Sequence, residues 1–223
     1  MYVRAVSAGR KKMSIRIITI SREFGSGGRS IAELVAKELG FAFYDKALIA
    51  KAAERTGFAE SFIKEHGEQR GPNNLFSLPF ASSTYNGMST EDYLWSMQRS
   101  IILELADKAP CVIVGRCSDY ILRNRKDAFH VFIHANHEDR AERVVNQYGV
   151  QTNNPLKTIN EEDKKRRKNY RYYTDREWGA ADNYNVSLDS SLFGIEGTAD
   201  LIIQMARDLG VAEGEGPAAD PEE

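Results

Sequence analysis

The sequence predicts an α/β domain built on a parallel sheet of five strands, flanked by helices. Three observations carry that expectation. Short apolar runs rich in β-branched residues alternate with stretches of helical periodicity along the chain. The first run, IRIITI at residues 15–20, is nearly continuous in apolar character, as a strand covered on both faces must be. Directly after it comes a glycine-rich turn, SREFGSGGRS, that leads into a helix.

The elements follow in order. Ile31, Leu34, Val35, Glu38 and Leu39 keep helical spacing, and Gly40 is placed to end that helix. Residues 41–44 read as a second strand, and residues 46–56 as a second helix stopped at Gly57. Residues 67–89 are rich in Gly, Pro, Asn and Ser and read as a long loop or insert. Ser89 and Asp92 then resemble a capping box, before an apolar stripe of Leu94, Met97, Ile101 and Leu105. Residues 111–114 form the third strand and residues 129–133 the fourth, followed by a helix capped by Asn136 and ending at Gly149. Thr158 and Glu161 suggest another capping box before a strongly charged helix, EEDKKRRKNYRYYTDR. Residues 184–188 are the fifth strand, and residues 199–209 a closing helix with Gly210 behind it.

Composition narrows the function classes. With 42% hydrophobic and 28% charged residues, the chain has material for a core and is not disordered as a whole. A net charge of −2 gives no global attraction to nucleic acid or membrane. Cys111 and Cys117 form no CxxC pair, so neither a disulfide framework nor a zinc site is expected. His130 and His134 lie in or beside a strand and read as structural. No apolar stretch approaches the roughly 18–20 residues of a membrane span. The basic start, MYVRAVSAGRKK, lacks a following apolar signal region, and the expected location is cytoplasmic. The expected organisation is a weakly ordered arm at 1–13, one domain at 14–210 and a disordered acidic tail at 211–223.

The glycine-rich turn carries the chemistry. Phosphate binding needs backbone N–H groups that can close on oxygen, with a helix N-terminus behind them. Gly25, Ser26, Gly27 and Gly28 meet the first need, and the helix from about Arg29 and Ser30 meets the second. A side chain at Gly27 would fill the space that phosphate requires. The turn departs from GxxxxGK[ST] in having no lysine. One register puts Gly28 where the lysine stands. The other puts Arg29 there, with Ser30 as the magnesium-ligating hydroxyl. Arginine neutralises phosphate charge through a bidentate fork, but it is bulkier than lysine.

Four blocks now bear on kinship: ITISREFGSGGRSIAELVAKELGFAFYD, CVIVGRCSDYIL, VFIHANHEDRAERV and the basic helix before YNVSLDSS. In these blocks the chain resembles the cytidylate kinase-like family, relatives of the nucleoside monophosphate kinases, over most of residues 14–209. The resemblance implies a P-loop NTPase-type sheet, an inserted monophosphate-binding segment at about 57–92, and a helical lid at about 150–180 that carries arginines. It implies transfer of the γ-phosphate of Mg·ATP to a nucleoside monophosphate, with CMP or dCMP the first candidate. Magnesium enters with ATP. Asp45 matches an aspartate near the substrate nucleotide, and Arg116 matches the arginine of a GRD motif that meets the substrate phosphate. Cys117 stands where that motif has aspartate.

The residues support these roles independently. The turn, Asp45 and Arg116 lie at the carboxyl ends of three strands, where a doubly wound sheet binds ligands. A helix N-cap is the alternative role for Asp45, and a surface ion pair the alternative for Arg116. Lys164, Arg167, Lys168 and Arg171 share one helical face, interleaved with Tyr170, Tyr172 and Tyr173. Arg29, Arg167 and Arg171 are the candidate catalytic cations, because phosphoryl transfer depends on positioning and charge stabilisation. That face also fits a solvated helix surface, and the near-neutral chain argues against nucleic acid as the partner. The expected partners are small-molecule nucleotides, and a homo-oligomer is compatible with the sequence. The rival function is a non-catalytic nucleotide-binding or regulatory protein with a degenerate P-loop.

Overall fold

The computed structural model describes residues 14–45, 84–85 and 88–211. The arm at 1–13, the helix expected at 46–56, most of the insert and the tail beyond 211 lie outside the described residues.

Strand β1 (Ile17–Arg22) leads through the turn to helix α1 (Gly28–Leu39), which Gly40 ends in a left-handed cap. Strand β2 (Ala42–Tyr44) follows. Two short strands, β3 (Thr84–Tyr85) and β4 (Met88–Ser89), pair antiparallel where the sequence predicted only loop. Helix α2 (Thr90–Lys108), β5 (Cys111–Val114) and the one-turn helix α3 (Ser118–Ile121) come next. The chain continues with β6 (Ala128–His134), α4 (His137–Asn146), α5 (Pro155–Thr174), β7 (Val186–Asp189) and α6 (Ser190–Leu209).

The sheet has five parallel strands in the order β2-β5-β1-β6-β7. β1 is central, and its alternate residues feed two cores. Ile18 and Ile20 pack with Ile31, Val35, Ile202 and Ala206, from α1 and α6. Ile17 packs on the opposite face with Met97, Ile101 and Ile102 of α2. Both faces are covered, which accounts for the unbroken apolar run.

Three local expectations shift. β1 runs two residues further toward the turn than predicted, and Ser21 and Arg22 pair with Phe132 and Ile133. Arg22 is therefore a strand residue with a fixed direction. Helix α5 starts at Pro155 rather than after Thr158, because Asn154 caps it by accepting from the Lys157 N–H at 2.9 Å, and proline suits the first helical position. Thr158 lies inside the helix and bonds back to the Asn154 carbonyl. Helix α6 begins at Ser190 and is interrupted by Gly194, at φ 69° and ψ −179°. The folded chain also reaches one residue past 210, since Val211 forms a parallel bridge with Ile15.

Candidate phosphate-binding site

The turn between β1 and α1 is held from outside by its own carbonyl groups. Those of Arg22, Phe24 and Gly25 accept from Arg166, Arg140 and Arg143 respectively. The Phe24 N–H donates to Asp163 at 2.8 Å. Arg140 also pairs with Asp163 and Glu23, and both the Arg140 and Asp163 side chains are only 3% exposed. Such a buried pair persists because each charge is hydrogen-bonded. Helices α4 and α5 thus clamp the turn.

At its other end the turn opens into α1. Gly27 is the N-cap, at φ 76°, and supplies no capping side chain. The first N–H groups of the helix, at Gly28, Arg29 and Ser30, lack carbonyl partners of the helical kind. That is the arrangement an anion needs. Ser26 is fully buried, its hydroxyl donating to the Glu23 carbonyl and its carbonyl accepting from Ser190. A Cβ on Gly27 would run into Ile195 of α6, so protein rather than empty space faces that position.

Arg116 follows β5 in a run of three left-handed residues: Gly115 at φ 70°, Arg116 at 58° and Cys117 at 53°. Left-handed backbone costs a residue with a side chain roughly 1–2 kcal/mol, so surrounding contacts must hold it. Gln98 does so in part, donating to the Arg116 carbonyl at 3.0 Å. Behind this corner Asp119 is buried, accepting from Ser21 and from the Tyr170 hydroxyl at 2.6 Å. Burial raises the Asp119 carboxyl above the usual range, with the Tyr170 and Ser21 hydrogen bonds opposing it. The Cys117 thiol is pushed up by burial and stays protonated. It is no nucleophile.

Three guanidinium groups converge here. Burial, then Arg166 and Arg116, bring Arg22 down to about 9. Burial foremost, with Arg166 among the charges acting on it, brings Arg116 to about 10. Arg166 is lowered by burial as well. An open cleft of about 430 Å³, lined by Glu23, His134, Arg167 and Trp178 among others, adjoins the turn.

The remaining predicted residues are placed as follows. Arg29 reaches Asp45 at 2.9 Å and Glu33 at 2.9 Å, with its side chain 60% exposed. Asp45 thus follows β2 directly and faces the first turn of α1; the helix it was alternatively expected to cap is outside the described residues. Ser30 is exposed on the first turn of α1 and, among the described residues, makes no side-chain hydrogen bond. Arg167 and Arg171 are exposed. Arg167 lies over the Trp178 ring, and Arg171 stands 3.6 Å from Asp175 and 3.8 Å from Glu177. The basic face singled out in the sequence is therefore solvent-exposed, with Arg167 at the lining of the cleft.

The inner face carries Ile159, Asp163, Tyr170 and Thr174, with Arg166 beside them. Sequence reasoning missed Arg140, Asp163, Arg166 and Asp119. A signal existed: α5 has almost no apolar residue on any face, so its buried stripe had to contain charged and hydroxyl groups.

Comparisons with known proteins agree with this architecture. The model of the cytidylate kinase-like family matches residues 17–192. No curated protein matches the sequence significantly. An uncharacterized protein from Eubacterium ventriosum superposes with a TM-score of 0.64 at 24% identity, over 88% of this chain and 99% of that one. Shikimate kinase from Acinetobacter baumannii, solved with shikimate, gives 0.50 at 16% identity, over 86% and 93%. At these identities the likeness concerns the fold, a P-loop kinase fold.

Proposed function

The chain belongs to the cytidylate kinase-like family, and we propose that it transfers the γ-phosphate of Mg·ATP to a nucleoside monophosphate, with CMP or dCMP the first acceptor to test. The observation that carries this reading is the convergence of Arg22, Arg116 and Arg166 beside the glycine-rich turn. Arg22 is repelled by both Arg166 and Arg116, and partly buried cations set this close cost stability unless an anion joins them. Phosphates held between two such groups match the need of phosphoryl transfer for positive charge around the transferring group.

In this reading the N–H groups of Gly28, Arg29 and Ser30 receive the donor phosphates. Arg116 binds the acceptor phosphate from the end of β5, and Arg166 approaches both from α5. Asp45 lines the acceptor side through its contact with Arg29. Arg167 faces the nucleotide from the lining of the cleft beside the turn, and Arg171 follows one turn further along α5. Ser30, whose hydroxyl makes no side-chain hydrogen bond among the described residues, would hold the magnesium that accompanies ATP. When bound, the ion neutralises phosphate charge. An oxygen of the acceptor phosphate forms the new bond to the γ-phosphorus while the bond to the β-phosphate oxygen breaks, leaving ADP and a nucleoside diphosphate.

A second reading draws on Arg29. Its guanidinium is engaged by Asp45 and Glu33, which favours a nucleotide-binding protein without turnover. An ADP-release assay over a panel of nucleoside monophosphates separates the two. Turnover with CMP or dCMP is the expected result. ATP binding without turnover on any acceptor would leave the non-catalytic reading in its place.

A further inference from the structure

The lysine missing from the turn leaves a question of which cation meets the transferring phosphates. In the gapless register Gly28 holds the lysine position. Gly28 is the first residue of α1, and its backbone would accept a side chain without strain. What excludes one is Arg22: a Cβ at position 28 would stand 2.6 Å from the Arg22 Cβ and 2.8 Å from its Cγ. At the far end of the same side chain, a Cβ on Gly115 would overlap the Arg22 Nη1. Two glycines, 87 residues apart in sequence (115 − 28), together clear a passage for one arginine.

We propose that Arg22 takes the place of the P-loop lysine, its side chain crossing the lysine's space over Gly28 and its guanidinium meeting the donor phosphates beside Gly115 and Arg116. The inference rests on the phosphotransferase reading above. Arg22 is well aimed for the task. It ends β1 in register with Ile133, and its carbonyl accepts from Arg166 at 2.7 Å. Among the described residues its guanidinium has no hydrogen bond or ion pair, whereas Arg29 has both. Its position at the carboxyl end of the central strand is where this fold class binds phosphates. A lysine on the helix supplies a point charge to one oxygen at a time. An arginine arriving from the strand presents a planar fork that can bridge oxygens of two phosphate groups. The cation has moved from the helix to the strand, and Gly28 is glycine to let it pass.

The test uses Mg·ATP affinity measured by titration calorimetry on the full chain, with far-UV dichroism on each variant. Arg22→Gln keeps most of the stem in the passage and removes the charge; it should weaken binding about tenfold or more. Gly28→Lys alone should bind no better than Arg22→Gln, because the new side chain collides with Arg22. Arg22→Gly combined with Gly28→Lys frees the passage and restores the lysine, and should bind about tenfold more tightly than Arg22→Gly alone. A merely structural Arg22 would not be rescued by a cation at position 28. Wild-type binding with an indifferent Arg22→Gln overturns this inference and leaves the phosphotransferase reading standing. So does a double variant no better than Arg22→Gly alone, the comparison that decides if Arg22→Gln fails to fold. Absence of Mg·ATP binding by the wild type overturns both.

Discussion

His130 sits on β6 with its Nδ1 2.8 Å from the Thr19 hydroxyl, 8% exposed. Burial lowers it to about 4, so the folded protein holds it neutral. A histidine depressed in the fold contributes stability that is fully present above its unfolded value near 6.5 and is lost as pH falls toward 4. At pH 4.5 the loss should be roughly 2–3 kcal/mol. Urea unfolding at pH 7.5 and 4.5 measures it, with His130→Gln as the reference that lacks the titration. Equal pH dependence in the two proteins would remove His130 as the cause. At the same scale, Arg22 and Arg29 cannot be ranked from the sequence as partners of phosphate. Both flank the glycines, and only side-chain direction separates them.

Helix α5 divides its charges between two faces. Lys164, Arg167, Lys168 and Arg171, which repeat at i, i+3, i+4 and i+7, are exposed, and Arg167 lines the cleft beside the turn. Its inner residues do the clamping, through Asp163 to the turn and Tyr170 to Asp119. Asp163→Ala strips the Phe24 N–H and Arg140 of their partner and should cost about 3–5 kcal/mol in urea unfolding. The exposed pair of Lys157 and Glu161, 3.9 Å apart, offers the contrast. Glu161→Gln should change stability by less than about 0.5 kcal/mol. Similar costs for the two variants would show that α5 does not anchor the turn.

For the molecule as a whole, the candidate site lies at the carboxyl ends of the strands, beside the central β1 of a sheet whose two faces are both covered, so ligand binding and folding are linked through β1. Under the proposed function, Mg·ATP at about 100 times its dissociation constant adds about 2.7 kcal/mol to stability. For a domain of this size that is a rise in melting temperature of roughly 5–10 °C. Differential scanning fluorimetry with and without Mg·ATP reads it directly. An unchanged melting temperature at saturating nucleotide would contradict binding to the folded state. At its closed end the domain joins its own extremities, with the Ile15 N–H donating to the Gly210 carbonyl at 2.9 Å.

The sequence by itself determined the five strands of the parallel sheet and the longer helices among the described residues, because apolar periodicity, glycine stops and an Asn136 cap act over a few residues and leave local marks. It also determined that a glycine-rich turn stands between the first strand and first helix, which is the feature that makes phosphate chemistry readable at all. Strand ends were less legible, since β1 continues through Ser21 and Arg22, polar residues held in register only by pairing with β6. Only the tertiary structure decided which charges contact the glycine-rich turn. Arg166, Arg140 and Asp163 come from other elements, and no local pattern encodes the partner that lies more than a hundred residues away. The reason Gly28 carries no side chain is likewise invisible in one dimension: it is the space occupied by Arg22.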